Sequence, residues 1–384
     1  MVLRNSTGLL ESSSGNNSAE FFDFAGKESF RQLEKEMLGT LLDGKFLIEK
    51  PIGRGSSSVV FVATDIKELT KVAVKVLVKD VDSAGSKIDR FNQETRTTRY
   101  LKHKNILEIY SYGIEKNHAY FVMEYLAGGT LYDLLNEKTR LEEAEAIEII
   151  KQVASALAFA HKEGVIHRDI KPGNILFKDK ERQLVKLVDF GMSTRLSWDY
   201  SDDVFRTPAG QIYGTTLYIS PEQSKGESTD PKTDVYSLGC VFYECLAGMP
   251  PHMGKTAIDI VIKHQREEAI PINQVLMEDA VSIEVQTIID KMLRKKLKDR
   301  YQNFDFILND FEAMRRGEFD YSRYLAAEKQ APRTRIVRDY SNIVFILALL
   351  SVIATLWFAC SILFFHEDSD TRLFDEGFWE QTSD

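Results

Sequence analysis

Two short runs carry the residue types that could do chemistry. His167-Arg168-Asp169-Ile170-Lys171-Pro172-Gly173-Asn174 follows the apolar pair Val165-Ile166, and Asp189-Phe190-Gly191 follows the apolar run LVKLV. Asp189 comes 20 residues after Asp169. Two carboxylates and one amide, presented by two loops, can hold a hydroxyl and a hard cation together. Oxygen donors of this kind suit Mg²⁺, with Mn²⁺ as an alternative. The chemistry such a set serves is phosphoryl transfer, which needs charge neutralisation, in-line positioning and a place for the hydroxyl proton. It needs little covalent help from the protein.

A phosphate also needs a cradle. Ile52-Gly53-Arg54-Gly55-Ser56-Ser57-Ser58-Val59-Val60 lies between two predicted strands. Gly53 and Gly55 have no Cβ, so backbone N–H groups can approach an anion there. A plain hairpin turn would leave the same trace. A dinucleotide-binding loop requires a helix directly after it, and here a strand follows. The GK[ST] of a Walker loop is absent. Lys75, in Val72-Ala73-Val74-Lys75, sits in an apolar strand, where a lysine is unusual without a partner. Taken alone, it is as well read as an edge-strand lysine facing solvent.

The elements that must position these groups are legible from periodicity. FLIEKPIG, VVFVATD and KVAVKVLV read as β-branched strands separated by turns. A helix is expected over SKIDRFNQETRTTRYL, then strands over ILEIYSYG and AYFVMEY. From Thr130 onward apolar residues recur three and four apart, through LYDLLNE and EAEAIEIIKQVASALAFAHKEG. A strand-rich lobe therefore precedes a helix-rich lobe, with a short junction at 124–129. The chain has 384 residues, enough for one large domain with appendages. Its net charge of −9 argues against a general nucleic-acid binder. Three cysteines, Cys240, Cys245 and Cys360, form no CxxC pair, so no disulfide framework or zinc site is expected and a reducing compartment fits. Residues 1–20 are polar and rich in Ser, Asn and Gly, and read as disordered. No signal peptide is legible at the start. Within 21–39 a mixed-charge stretch reads as a short helix with no assignable role.

Taken together and in this order, G-x-G-x-x-S-x-V, VAVK, HRDIKPGN, DFG and SPE resemble the eukaryotic-type serine/threonine protein kinases. GTTLYISPEQ and DVYSLGCVFYECLAGMPP resemble their bacterial transmembrane branch. The resemblance runs from about Phe46 to Gly317. It implies an α+β, bilobal protein-kinase fold with a small β-rich lobe and a larger helical lobe. It implies transfer of the ATP γ-phosphate to protein Ser/Thr hydroxyls, autophosphorylation included. The other reading is a membrane-tethered pseudokinase scaffold, and Lys75, Asp169 and Asp189 are all present against it. By resemblance, Asp169 takes or orients the hydroxyl proton. Lys171 steadies the γ-phosphate, and Asn174 and Asp189 hold Mg²⁺. Lys75 contacts the α- and β-phosphates and pairs with Glu94. Gly53 and Gly55 cover the phosphates. Ile52, Val60, Ala73, Met123 and Leu176 wall the adenine slot, which hydrogen-bonds to the backbone of Glu124 and Leu126. Glu222 is expected to pair with Arg300, and Asp234 to hold the catalytic-loop backbone. Ser58 and Ser220 stand where the family has Gly and Ala, and neither touches the chemistry. Arg168 offers a partner for a phosphate on the loop 192–219, with Thr207 the favoured acceptor and Thr215 near the substrate-binding floor.

Residues 343–365, IVFILALLSVIATLWFACSILFF, are 23 uncharged residues. At about 1.5 Å per residue they span roughly 34 Å, against about 30 Å of hydrocarbon, so a transmembrane helix is expected. Arg333, Arg335 and Arg338 precede it, and the 19 residues after it hold seven acids and one arginine. The positive-inside rule then places the kinase domain in the cytosol and a short acidic tail outside. Expected divisions are a polar segment 1–43, a kinase domain 44–317, a linker 318–342, the span 343–365 and the tail 366–384. Ser351, Thr355 and Ala359 share one face of the span and offer a homodimer contact. Expected partners are protein substrates and the membrane, crossed once, with no nucleic acid.

Overall fold

β-Branched runs joined by tight turns give the first half of the chain its sheet. The computed structural model describes residues 29–55, 58–78, 95, 98–190, 194–195, 216–322 and 324. A helix over 29–37 comes first. Strands β1 (Leu41–Leu42), β2 (Phe46–Arg54), β3 (Ser58–Asp65), β4 (Thr70–Leu77), β5 (Ile109–Glu115) and β6 (His118–Glu124) follow. They form one antiparallel sheet in the order β1-β2-β3-β4-β6-β5. Two turns set its register. Asp43 and Gly44 have φ of 53° and 62°, and Lys116 and Asn117 have 48° and 65°. Paired left-handed residues make the two-residue turn whose twist matches a hairpin. The strand read from Ile106 begins three residues later, at Ile109. Ile106 instead makes a parallel bridge with Leu187, because the preceding segment is docked on the other lobe.

The helix over 29–37 turns Leu33 and Met37 into the sheet core beside Phe46, Ile48, Val59 and Phe61. Both are at most 1% exposed. Burying two such side chains favours the folded state by about 3–6 kcal/mol before entropy.

The second lobe is helical: α1 (Leu131–Lys138), α2 (Glu143–Lys162), α3 (Pro221–Ser224), α4 (Lys232–Ala247), α5 (Ala257–Arg266), α6 (Ile272–Leu276), α7 (Ile283–Met292) and α8 (Phe304–Arg316). Short strands β7 (Val165–Ile166), β8 (Ile175–Phe177), β9 (Val185–Leu187) and β10 (Thr194–Arg195) carry the loops between α2 and α3. Thr130 starts α1 with a capping box to Asp133, and Ser220 starts α3 with one to Gln223, each satisfying orphan helix donors. Helix α4 is apolar nearly all round and is buried on every face. Gly239 lets it meet α7: a Cβ there would lie 2.8 Å from Cβ of Met292. Gly248, at φ 73°, ends α4 in the left-handed cap that favours glycine.

Among the described residues no helix is long and apolar enough to cross a membrane. The expected span 343–365, Glu94, and the acceptors Thr207 and Thr215 lie outside the described residues.

Candidate active site

The run from His167 to Asn174 leaves β7 as a loop, and a loop needs an anchor to hold chemical geometry. Asp234, in the first turn of α4, supplies it. Its Oδ2 accepts from the His167 amide and its Oδ1 from the Arg168 amide, both at 2.8 Å. His161 on α2 adds a third bond to Oδ2, at 2.8 Å. Asp234 is fully buried. Burial pushes its carboxyl up, but the His161 hydrogen bond, the His161 and His167 rings and the Arg168 amide outweigh it and hold the pKa below its ordinary value. Arg168 has φ of 70°, a conformation costly for a non-glycine residue that the paired amides hold in place. This is the expected anchoring of the catalytic-loop backbone.

The loop then closes on itself around one oxygen. Oδ2 of Asp169 accepts from Lys171 Nζ at 2.6 Å and from Asn174 Nδ2 at 3.0 Å. Asn174 Nδ2 also donates to the Asp169 carbonyl at 2.7 Å. With the amide nitrogen so committed, Oδ1 of Asn174 is left as a hard oxygen donor. The Val188 amide donates to the Asn174 carbonyl at 3.0 Å, which sets the residue before Asp189 against Asn174. Asp189 has φ of 66° and is half-buried. Phe190 is fully buried and packs on the His167 ring with centroids 4.6 Å apart. That ring donates from Nε2 to the Val188 carbonyl at 2.9 Å and accepts the Asp169 amide at Nδ1 at 3.2 Å. Asp169, Lys171 and Asn174 are thus tied into one corner by short bonds, and the Val188–Asn174 bond brings the chain just before Asp189 to it. The oxygen donors of Asn174 and Asp189 fit a magnesium-type ion in kind.

In the small lobe, Lys75 on β4 lies between Val60 of β3 and Phe121 of β6. Its ammonium stands 5.5 Å from the centroid of the Phe121 ring, within cation–π range. The glycine loop is a hairpin: Gly53 pairs with Val60, Arg54 with Val59, and the Gly55 amide donates to Ser58 O at 2.8 Å. Ala73 is buried between Val62 and Met123. Val60, Met123 and Leu176 are only half-buried and Ile52 is exposed. These apolar residues thus stay partly uncovered in both lobes, although Met123 also packs against the cluster of Leu77, Ile109 and Phe121.

The junction carries an arrangement that the motifs do not announce. The Glu124 carboxylate accepts the Glu108 amide at 2.8 Å and pairs with Lys186 Nζ at 2.7 Å, both side chains 9% exposed. Lys186 sits on β9, three residues before Asp189. Its signal was in the sequence: a lysine inside LVKLV needs a partner for the same reason as Lys75. Asn105 binds Val185 O at 2.8 Å and its carbonyl accepts the Leu187 amide at 2.8 Å, joining the two lobes. Among the described residues the Leu126 amide makes no backbone hydrogen bond. Deeper down, Glu222 and Arg300 form the expected pair, with bonds of 2.7 and 2.8 Å and almost no exposure. Gln223, beside it, donates to the Arg168 carbonyl at 2.9 Å, so this segment is pinned to the catalytic loop.

Comparison with known proteins shows the family. The protein kinase domain family matches residues 46–311. A probable serine/threonine-protein kinase of Clostridium acetobutylicum is 36% identical over 274 residues, covering 71% of this chain and 40% of that protein. The serine/threonine-protein kinase PknB of Mycobacterium leprae is 36% identical over 265 residues, covering 68% of this chain and 41% of its own length. PknB of Mycolicibacterium smegmatis is 37% identical over the same share of each chain. The chain spans about two fifths of the length of these curated relatives. With the motif order, the two-lobed architecture and a match across most of the sequence, the chain belongs to the protein kinase family.

Proposed function

We propose that this protein is an active serine/threonine kinase that transfers the γ-phosphate of ATP to protein hydroxyls, its own included. The observation that carries the reading is the convergence of Lys171 and Asn174 on one oxygen of Asp169. That convergence fixes the carboxylate and leaves its second oxygen for an acceptor hydroxyl. The acceptor oxygen attacks the γ-phosphorus, the bond to the bridging oxygen breaks, ADP leaves, and the hydroxyl proton passes to Asp169. Lys171 is placed to neutralise charge on the moving phosphoryl group. Lys75 holds the α- and β-phosphates under the Gly53–Gly55 hairpin. Adenine lies between Ile52, Val60, Ala73, Met123 and Leu176, against the backbone of Glu124 and Leu126. Asn174 and Asp189 would hold Mg²⁺, which supplies neutralising charge when bound. The pseudokinase reading has no observation in its favour, since Lys75, Asp169 and Asp189 are all retained.

Residues 343–365 are proposed to cross the membrane once, with the kinase domain cytosolic, the acidic tail exported, and Ser351, Thr355 and Ala359 as a homodimer face. The unbroken apolar run and its arginine flank support this. Resistance of the full chain to carbonate extraction from membranes tests it, and a fully released chain would refute it. The catalytic reading is tested by supplying the full chain with radiolabelled ATP and Mg²⁺, wild type beside Asp169→Asn, followed by phosphoamino-acid analysis. Label on Ser and Thr that disappears in the variant is expected. Equal labelling in both would overturn it.

A further inference from the structure

The helix over 29–37 precedes the matched kinase domain, yet it reaches the phosphate loop. Glu34 accepts from Arg54 in two parallel bonds, Nε to Oε1 at 2.8 Å and Nη2 to Oε2 at 2.9 Å. Arg54 is the residue between Gly53 and Gly55, at the end of β2. The Arg54 side chain is about half exposed, while that of Glu34 is 15% exposed.

An isolated surface ion pair contributes little, because two floppy side chains must be ordered to form it. Here one partner is already ordered. Leu33 and Met37, on either side of Glu34, are locked in the sheet core. The helix is fastened at its far end as well. Glu36 Oε2 lies 3.2 Å from Nε2 of the buried His118, and the Glu36 carbonyl accepts from Lys116 Nζ at 2.7 Å. The amide of Gly39 donates to Ile48 O at 3.0 Å, returning the chain to β2. Glu34 is therefore a carboxylate on a rigid strut, and the two-toothed geometry fixes the orientation of the guanidinium as well as its distance. The hydrogen bond to Glu34 and its charge raise the Arg54 pKa further.

Glycine-flanked backbone is adaptable, and adaptable backbone loses conformational freedom when it grips a ligand. A restraint at the residue between two glycines removes part of that loss before the ligand arrives. We infer that Glu34 is a positioning residue for the nucleotide: by holding Arg54 it presets the Gly53–Gly55 loop for the ATP phosphates. The kinase unit of this chain then extends back to the helix over 29–37. This inference rests on the reading of that loop as the ATP cradle.

The test uses the full chain and two readouts, the Kd of a fluorescent ATP analogue and the KM values for ATP and for dephosphorylated casein. Glu34→Gln and Arg54→Gln should each raise the analogue Kd and the ATP KM by roughly two- to tenfold, the span of one ordinary net hydrogen bond. The casein KM should not move. The charge-reversed double variant, Glu34→Arg with Arg54→Glu, should recover most of the loss, which neither reversal does alone. Unchanged nucleotide affinity in both single variants overturns the inference, and so does equal loss for ATP and casein. Absence of recovery in the double variant, when its melting temperature matches wild type, overturns it too. A wild-type chain that binds no nucleotide would instead sink the kinase reading itself, so the two failures are distinct.

Discussion

The ammonium of Lys171 lies 2.6 Å from Oδ2 of Asp169, the same oxygen that accepts the Asn174 amide. One carboxylate oxygen is saturated and the other is left to work. Asp169→Asn preserves shape and the hydrogen bond from its backbone amide to the His167 ring but removes the proton acceptor. Phosphate transfer should fall by about two to four orders of magnitude, the span of a lost general base, with nucleotide affinity nearly unchanged. Steady-state kinetics beside a nucleotide titration check this. A modest loss of turnover would remove Asp169 from the mechanism.

Arg300 and Glu222 are both buried, and Glu222 also accepts the Thr233 hydroxyl at 2.9 Å. Burial pushes the Glu222 carboxyl up, and the hydrogen bond and charge of Arg300 bring it back below its usual value. Removing either partner strands the other in the core. Arg300→Leu or Glu222→Leu should each destabilise the protein by about 3–5 kcal/mol, and the double variant by less than the sum. Chemical denaturation of the three variants measures the coupling. Simple additivity would mean the pair is not a unit.

His252 and His264 meet edge to face, with ring centroids 4.8 Å apart, under Lys295 and Tyr236. Lys295 has no acceptor atom, so it donates to both the Tyr236 oxygen and His252 Nε2. Tyr236 then donates its own hydroxyl hydrogen bond to His264 Nδ1 at 2.9 Å. Burial pushes both imidazoles down from 6.5 to about 3, aided by the Lys295 charge. Between those values the unfolded chain takes up protons that the folded one refuses. Stability must therefore fall as pH drops from 6.5 toward 3, by up to about 1.4 kcal/mol per pH unit for each ring. His252→Phe should flatten this acid slope in melting experiments run from pH 7 to pH 4.5. An unaltered slope would mean that His252 is not held neutral.

Lys295 itself is pushed down from 10.5 to about 8, chiefly by burial. A lysine with a lowered folded pKa makes stability rise as pH climbs from 8 to 10.5, because only the unfolded chain remains protonated there. Lys295→Met should lose that rise. Equal pH profiles for the two proteins across this window would refute it.

At Gly239 a methyl would meet Met292 Cβ at 2.8 Å and Leu293 Cδ2 at 3.1 Å. Gly239→Ala should force α4 and α7 apart and cost about 1–3 kcal/mol, against a gain in helix propensity of at most about 1 kcal/mol. A melting temperature at or above wild type would contradict the close approach.

The two lobes and the order of the motifs were legible because periodicity and motif spacing are local properties. The helix of mixed charge within 21–39 was legible as a helix but not as part of a site, since its tie to Arg54 joins residues 20 apart through side chains. The Lys186–Glu124 pair escaped for a similar reason. A lysine in an apolar strand signals a partner, but its address depends on how β9 lies against the junction. Asp234 was readable only through resemblance. Nothing in DVYSLG says that a helical aspartate will cap the amides of a loop 66 residues earlier. The strand start near 106 was misplaced because apolar content cannot separate a residue that enters the sheet from one that docks on β9.

The loop bearing Asp169 hangs by its amides from a helix enclosed on all sides, whereas Lys75 and the glycine hairpin ride on the sheet of the other lobe. In the proposed reaction, the groups that grip the donor and the carboxylate that receives the acceptor are therefore anchored in two different apolar cores.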